Sequence, residues 1–370
     1  MRVLHVISDT NIGGAGVLLC TLLRHFDRSR VQSTVALPKG SALRERIEAI
    51  GIPTHSLKQP CDGFSLRSVR EISSLLREDA FDILHANAAL SARIAGRRER
   101  VAVLHTRHCC FPPSAIWHFS PVRRLGGWYN GRLSDRIIAT AEAARENLLA
   151  MGVPDAQIEV IINGSEPVRE VASAELDFYR QAWELPNDAF AIGICARLVS
   201  CKGHETFLEA ARLALAQLPH RKFFFLIAGE GERRAALEAM AGQLGISESV
   251  RFLGFVSDLA PFYRLLRINV NCSNGTETSC LALSEGMSAG APTVASDYGG
   301  NRAMLGDGQA GILYPIGDAK ALADAICSIA EDREMEVSLR RAAYERYRSH
   351  YTAEGMTERV TALYESVLRS

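Results

Sequence analysis

Short, continuously apolar runs alternate with amphipathic helical stretches through most of this 370-residue chain, and few folds accept that pattern. VLHVIS (3–8), STVALP (33–38), DILHA (82–86), VAVLHT (101–106), RIIAT (136–140) and IEVIING (158–164) read as strands. Between them, 17–26, 66–79 and 141–152 carry apolar residues at helical spacing. Strands that are apolar throughout need both faces covered, and an intervening helix makes each connection a parallel crossover. The alternation fades over 165–188, a polar stretch with Pro167 and Pro186 and no strand signal, which reads as a connection. It restarts at FAIGICAR (190–197) and continues through KFFFLIAG (222–229), VRFLGF (250–255), INVNCS (268–273), PTVAS (292–296) and GILYP (311–315). Helices are predicted over 203–218, 231–244, 279–289, 318–331 and 334–347. The length exceeds what one hydrophobic core serves. The expectation is therefore an α/β chain with two doubly wound parallel-sheet, Rossmann-like domains, over 1–170 and 185–350. The stretch 353–370 is helical by pattern and a candidate to pack back on the first domain.

Composition narrows the function classes. Lys plus Arg and Asp plus Glu are 42 each, so there is no basic excess of the kind a dedicated nucleic-acid binder carries. Nine cysteines without a Cys-x-x-Cys spacing read as reduced thiols of a cytoplasmic protein. The start MRVLHVIS enters a strand pattern without a cationic leader, so no signal peptide is expected, and no apolar run is long enough to span a membrane.

Ligands of open parallel sheets bind beyond the carboxyl ends of the strands, so residues just after strands matter most. NIGGAG (11–16) follows the first strand, and Gly13 and Gly14 would let the backbone approach an anion at a helix start; a tight turn is the alternative. Its spacing is not that of a dinucleotide fingerprint. In ARLVSCKGHETF (196–207), Arg197 and Lys202 are two cations suited to a diphosphate, or else two surface charges. IAGEGERR (227–234) and RFLGFV (251–256) bring Gly229 and Leu253 to strand exits, where backbone groups could read a nucleobase edge. ETSCLALSEGM (277–287) sets Glu277 before a helix and Glu285 about two turns inside it. The first amides of that helix have no intrahelical partner and can hold an anion. A carboxylate on a helix that must pack would find partners in a sugar or ribose diol; a helix-start charge and an exposed outer-face residue are the plain alternatives.

This ordered set resembles a GT-B glycosyltransferase of family 4, the large retaining group. The Glu–x7–Glu pair, ARLVSCKG, IAGEGE and RFLGF stand in the family's order, and NIGGAG, DILHAN, VLHTRH and AEAARENLLAMGVPDAQIEVIINGSE match its first half, so the likeness covers essentially the whole chain. The resemblance implies two domains facing across a cleft that closes for chemistry. It implies that Glu285 holds the nucleotide ribose and Glu277 faces the transferred sugar. The amides of Ser279, Cys280 and Leu281 would meet sugar hydroxyls and the distal phosphate. Arg197 and Lys202 would neutralise the diphosphate leaving group, Gly14 would approach the same phosphates, and the histidine near the reacting sugar aligns best with His108, His105 being the poorer match. The chain departs from the family where it reads Glu277-Thr278-Ser279-Cys280 instead of Glu-Gly-Phe-Gly, which bears on the donor sugar, and where Glu166 replaces a frequent Asp.

No Asp-x-Asp occurs, which suits a site that needs no metal or other cofactor. HTRHCC (105–110) holds zinc-compatible ligands, but adjacent cysteines at a strand exit make poor tetrahedral geometry. The expected activity is retaining transfer of a hexose from a nucleotide sugar, by default a UDP-sugar, to a glycan or lipid-linked acceptor, in cell-surface polysaccharide synthesis. A sugar-nucleotide epimerase, a phosphorylase and a non-catalytic sugar-nucleotide-binding subunit are the rivals. The stretch 109–133 combines Phe111, Trp117, Phe119, Trp128 and Tyr129 with Arg123, Arg124 and Arg132, a composition for an acceptor or for a peripheral contact with the inner face of a membrane, or else for a packed helix with a basic edge.

Overall fold

The computed structural model describes residues 1–10, 13–58, 63–87, 89–108, 120–275 and 278–369. The chain divides into two compact units, Met1–Ser165 with Ala353–Ser370, and Glu166–Thr352.

The first unit is built on seven strands: β1 (Arg2–Ile7), β2 (Gln32–Pro38), β3 (Thr54–Leu57), β4 (Ile83–Asn87), β5 (Ala102–Arg107), β6 (Arg136–Ala139) and β7 (Ile158–Val160). They pair in parallel in the order β3-β2-β1-β4-β5-β6-β7. Val3, Leu4, Val6, Ile83, Leu84 and Leu104 are fully buried, as strands covered on both faces require. The helix Ala353–Arg369 belongs to this unit: Met356, Val360, Leu363, Tyr364 and Val367 share one face and pack on Val3, Leu18, Leu22 and Leu104. Arg30 bonds both Glu358 and Glu365 on its outer side.

The second unit holds β8 (Phe190–Cys195), β9 (Phe223–Ala228), β10 (Val250–Gly254), β11 (Ile268–Asn271), β12 (Thr293–Ser296) and β13 (Ile312–Tyr314). All pairs are parallel, in the order β10-β9-β8-β11-β12-β13. Phe190, Ile192, Phe207, Phe223, Phe225 and Ile227 form its main core with the helices His204–Gln217 and Ala319–Glu331. Each sheet therefore reverses its winding beside its first strand, between β1 and β4 and between β8 and β11, and the crevice at such a point is where ligands bind.

The fold class expected from the sequence is the one observed. The stretch 165–188 is less plain than its composition suggests: it contains the helix Ser173–Ala182, which buries no residue and so lacks the apolar stripe that marks a helix. The strand β3 and the helices Leu43–Ala49, Leu90–Glu99 and Ala260–Leu265 are further elements that carry no distinct sequence signal.

Candidate active site

In the second unit, β8 runs out into Ala196–Lys202, and Gly203 then starts the helix His204–Gln217 with φ 66°. A Cβ at Gly203 would overlap the carbonyl oxygen of Cys272, so glycine lets the β8 exit lie directly on the end of β11. The Asn274 amide closes the same contact by donating to the Cys201 carbonyl at 3.0 Å. Lys202 is held there, with Nζ 3.5 Å from Ser273 Oγ, and Arg197 is exposed at the strand exit.

The β9 exit joins the same edge. Gly229 has φ 141° and donates to the Gly254 carbonyl at 2.8 Å; a Cβ on it would overlap the Ala196 carbonyl. Along β10 the ladder pairs Phe252 with Ile227 and Gly254 with Ala228, so Leu253 is the extra residue of a bulge. Bulges turn backbone groups away from the ladder, and Gly229 and Leu253 thus present main chain at adjacent strand exits.

The helix Leu281–Ser288 follows β11, capped by Cys280. Its entry is fixed by a buried polar network. Asn271 Oδ1 accepts from the Ser273 amide at 2.9 Å and from Asn301 Nδ2 at 3.1 Å, Asn271 Nδ2 donates to Cys280 Sγ at 3.1 Å, and Ser296 Oγ donates to the Ser273 carbonyl at 2.6 Å. Of the three amides expected at this helix start, that of Cys280 is engaged inside the protein, donating to Met304 Sδ at 3.2 Å. A thioether is a weak acceptor. Ser279 is buried beside it. Glu277 lies outside the described residues.

Glu285 sits half-buried on this helix, with its carboxyl against the buried Tyr263. Burial raises its pKa from 4.5 to about 7, opposed by a hydrogen bond from Tyr263 Oη to Glu285 Oε2 at 2.8 Å. Tyr263 is buried in the helix Ala260–Leu265, and burial likewise pushes the neighbouring Cys195 thiol up to about 12. A carboxylate with one neutral donor and little water has capacity left for two further hydroxyls.

The first unit has its own set at the β1/β4 switch point. Gly13 caps the helix Gly14–His25; an added Cβ would meet only Asp9 Oδ2, at 3.8 Å, and at Gly14 it would meet nothing within 4 Å. Among the described residues, no packing therefore requires these glycines. His108 follows β5, its Nε2 2.9 Å from Oδ1 of Asn87 at the end of β4. Burial lowers its pKa to about 4, so it is neutral at pH 7, and with Asn87 accepting, the proton is on Nε2.

The structure thus gathers Arg197, Lys202, Gly229, Leu253, Ser279, Cys280, Leu281 and Glu285 on the carboxyl edge of one sheet, and Gly13, Gly14 and His108 on that of the other. Sequence reasoning missed Tyr263, Cys195, Asn271 and Asn301, none of which stands in a recognisable motif. It also passed over Asn87, although DILHAN contains it. Among the described residues no group of three His, Cys, Asp or Glu side chains is placed to hold a metal, and no helix is long and apolar enough to cross a membrane. Cys109 and Cys110 of the zinc-compatible stretch are outside them.

Two Rossmann-like units with these residues at the strand exits define the class of GT-B glycosyltransferases. The model of the glycosyl transferases group 1 family matches residues 176–346, and that of glycosyltransferase family 4 matches residues 12–169. The putative glycosyltransferase EpsD of Bacillus subtilis is 29% identical over 293 residues, 75% of this chain and 74% of that protein. The lipopolysaccharide core biosynthesis glycosyltransferase LpsE of Rhizobium meliloti is 31% identical over 244 residues, 64% of this chain and 67% of that one. The crystal structure of Anabaena Alr3699/HepE in complex with UDP has the same fold, with a TM-score of 0.85 at 21% identity over 99% of this chain and 100% of that one. The chain belongs to the family 4 type of GT-B glycosyltransferases, and it is a transferase enzyme.

Proposed function

We propose that the chain transfers a hexose from a UDP-sugar to a glycan or lipid-linked acceptor, with retention at the anomeric carbon and without a metal, in the synthesis of a cell-surface polysaccharide. The observation that carries this reading is that Lys202 against Ser273 and the helix of Glu285, whose carboxyl meets Tyr263 and lies by Cys195 at the end of β8, both stand at the β8/β11 switch point. A ribose diol would donate two hydrogen bonds to Glu285, main chain at Gly229 and Leu253 would read the base, and Gly13 and Gly14 would leave room for the phosphates. Arg197 and Lys202 would stabilise the departing diphosphate as its charge develops. An oxygen of that leaving group would accept the acceptor's proton on the same face, so no separate base is needed. Glu277 and neutral His108 are assigned to the transferred sugar on the family resemblance. UDP in the HepE crystals and the lipopolysaccharide role named for LpsE support the donor and product classes.

A membrane-surface acceptor is supported by the helix Ser120–Arg132, where Leu125, Trp128 and Tyr129 are exposed and Arg132 stacks on Trp128 at 5.6 Å. Flotation with anionic vesicles tests this contact, and no capture at low salt removes it.

The deciding experiment is a thermal-shift panel with UDP, GDP, ADP and NAD, with and without a chelator. Stabilisation by UDP that survives chelation and disappears in Glu285→Ala and Lys202→Ala is the expected result. Response to GDP alone would change the base; response to none would remove the donor site. The anomeric configuration of the product, read by NMR, tests retention.

A further inference from the structure

We propose that the second unit carries a further anion site, an arginine-lined cavity that binds a phosphate-class dianion at the amino end of its sheet. The cavity has a volume of about 250 Å³. It lies where β8 begins, at Ala189 and Ala191, and just before β11, at Arg267. Arg197 and Lys202 stand past the far end of β8, so the length of that six-residue strand, about 20 Å, separates this cavity from the candidate donor site. The site is independent of the donor reading.

Its lining is one-signed. Arg180, Arg264, Arg267 and Arg340 line the cavity, Asn187 adds an amide, and no carboxylate lines it. The buried carboxylate that pairs with lining arginines is Glu336, only 2% exposed and already shared. It accepts from Arg267 Nε at 2.7 Å and from Arg333 at 2.8 Å, with Arg340 a further 3.8 Å away. Arg333 is exposed and outside the lining; of the lining arginines, Arg267 and Arg340 share this one carboxylate, which leaves one positive charge over. The other counter-charges are peripheral: Arg180 pairs with exposed Asp177 at 2.7 Å, and Arg264 with exposed Glu170 at 2.8 Å. The strain registers at Arg340, whose pKa is lowered by burial against the attraction of Glu336, with Arg267, Arg333 and Arg264 adding to the lowering. Grouping guanidiniums around a partly dry cavity is unfavourable unless an anion sits among them. A phosphate oxygen fork matches guanidinium geometry and supplies up to two negative charges. The same chemistry is offered by free phosphate or pyrophosphate and by a phosphomonoester lipid headgroup.

The test is isothermal titration calorimetry of the full chain with phosphate and with pyrophosphate, done in wild type and in Lys202→Ala to silence the other end of the sheet. Saturable binding that persists in Lys202→Ala and weakens about tenfold or more in Arg340→Gln and in Arg180→Gln is expected. Both variants keep the Arg267–Glu336 pair; Arg340→Gln removes a third guanidinium that stands 3.8 Å from Glu336, so circular dichroism with thermal melting verifies that both fold. A parallel arm measures capture by vesicles containing phosphatidic acid. Capture lost in Arg340→Gln but kept in Trp128→Ser, and competed by free pyrophosphate, identifies a headgroup as the source. Calorimetric binding without Arg340-dependent capture identifies a soluble phosphate. If neither arm depends on Arg340 and Arg180, the proposal is overturned.

Discussion

Tyr263 Oη donates to Glu285 Oε2 at 2.8 Å from a side chain that is itself buried. This pairing makes the position of Glu285 chemically specific. A carboxyl in that setting is held near neutrality by burial, and Tyr263 is the donor that keeps its ionised form within reach. It is costly to the free protein and useful only if something else supplies hydrogen bonds.

Glu285→Gln is therefore expected to separate stability from binding. The folded pKa, about 7, lies above the ordinary 4.5, so the folded state holds a proton that the unfolded chain releases. Stability from this group is complete below about pH 4.5 and is lost as pH rises through 7. At pH 8 the amide should raise unfolding free energy by about 1–3 kcal/mol while abolishing the response to UDP. Denaturant titration with and without nucleotide measures both; a destabilised Gln variant at pH 8 would contradict the assignment.

Tyr263→Phe should move a pH profile. On the proposed donor reading the ribose diol would donate to the ionised carboxylate, so affinity should fall as pH drops below about 7. Without the Tyr263 hydroxyl, which favours the ionised form, the midpoint moves to higher pH. UDP affinity at pH 7 should fall on the order of tenfold and recover toward pH 9. A loss of equal size at every pH would mean that Tyr263 acts only in packing.

Glycines at the two switch points should behave oppositely. Gly203→Ala imposes φ 66° on a residue with a Cβ that overlaps the Cys272 carbonyl, and should cost about 2 kcal/mol or more. Gly14→Ala meets nothing within 4 Å, so its stability should stay within about 1 kcal/mol of wild type while activity falls through contact with the donor. Unchanged turnover in Gly14→Ala would sever Gly14 from the phosphates.

The sequence made the sheets legible because buried parallel strands announce themselves: Phe190–Cys195 and Phe223–Ala228 are apolar almost throughout. It offered Lys202 and Glu285 as candidates beside strand exits, and the family resemblance rather than their spacing gave them roles. It was silent where partnership depends on distant chain. Tyr263 reaches Glu285 across 22 positions, and Asn301 reaches Asn271 across 30, from segments with no periodicity to flag them. The arginine cavity was equally hidden, since Arg180, Arg264, Arg267 and Arg340 are ordinary surface residues until the fold places them together. A short strand such as Thr54–Leu57, with Leu57 alone buried, carries too little pattern to be recognised.

Acid should unfold the first unit before the second. His5, His85 and His105 stand on β1, β4 and β5, the central strands of that sheet, and are all buried. His5 and His85 rings are 5.4 Å apart, His85 bonds Tyr364 and Thr106 at 2.6 Å each, and His105 bonds the Ala86 carbonyl at 3.3 Å. Burial depresses the pKa of His5 to about 3 and those of His85 and His105 well below 6.5. All three are neutral in the fold and take protons on unfolding. Their contribution is complete above pH 6.5 and lost as pH falls below it, at up to about 4 kcal/mol per pH unit for the three together. In the second unit the buried His204, its pKa depressed to about 4 by burial, acts the same way but singly, and Glu285 opposes it between pH 7 and 4.5. Hydrogen exchange at pH 7.5 and pH 5, with rates corrected for the intrinsic pH effect, should show protection collapsing in β1, β4, β5 and the helix Ala353–Arg369 while β8 and β11 stay protected. Equal loss in both units would mean that the buried histidines do not set the acid limit. His85→Asn should then leave the profile unmoved, whereas on the present reading it flattens the acid limb by about one proton.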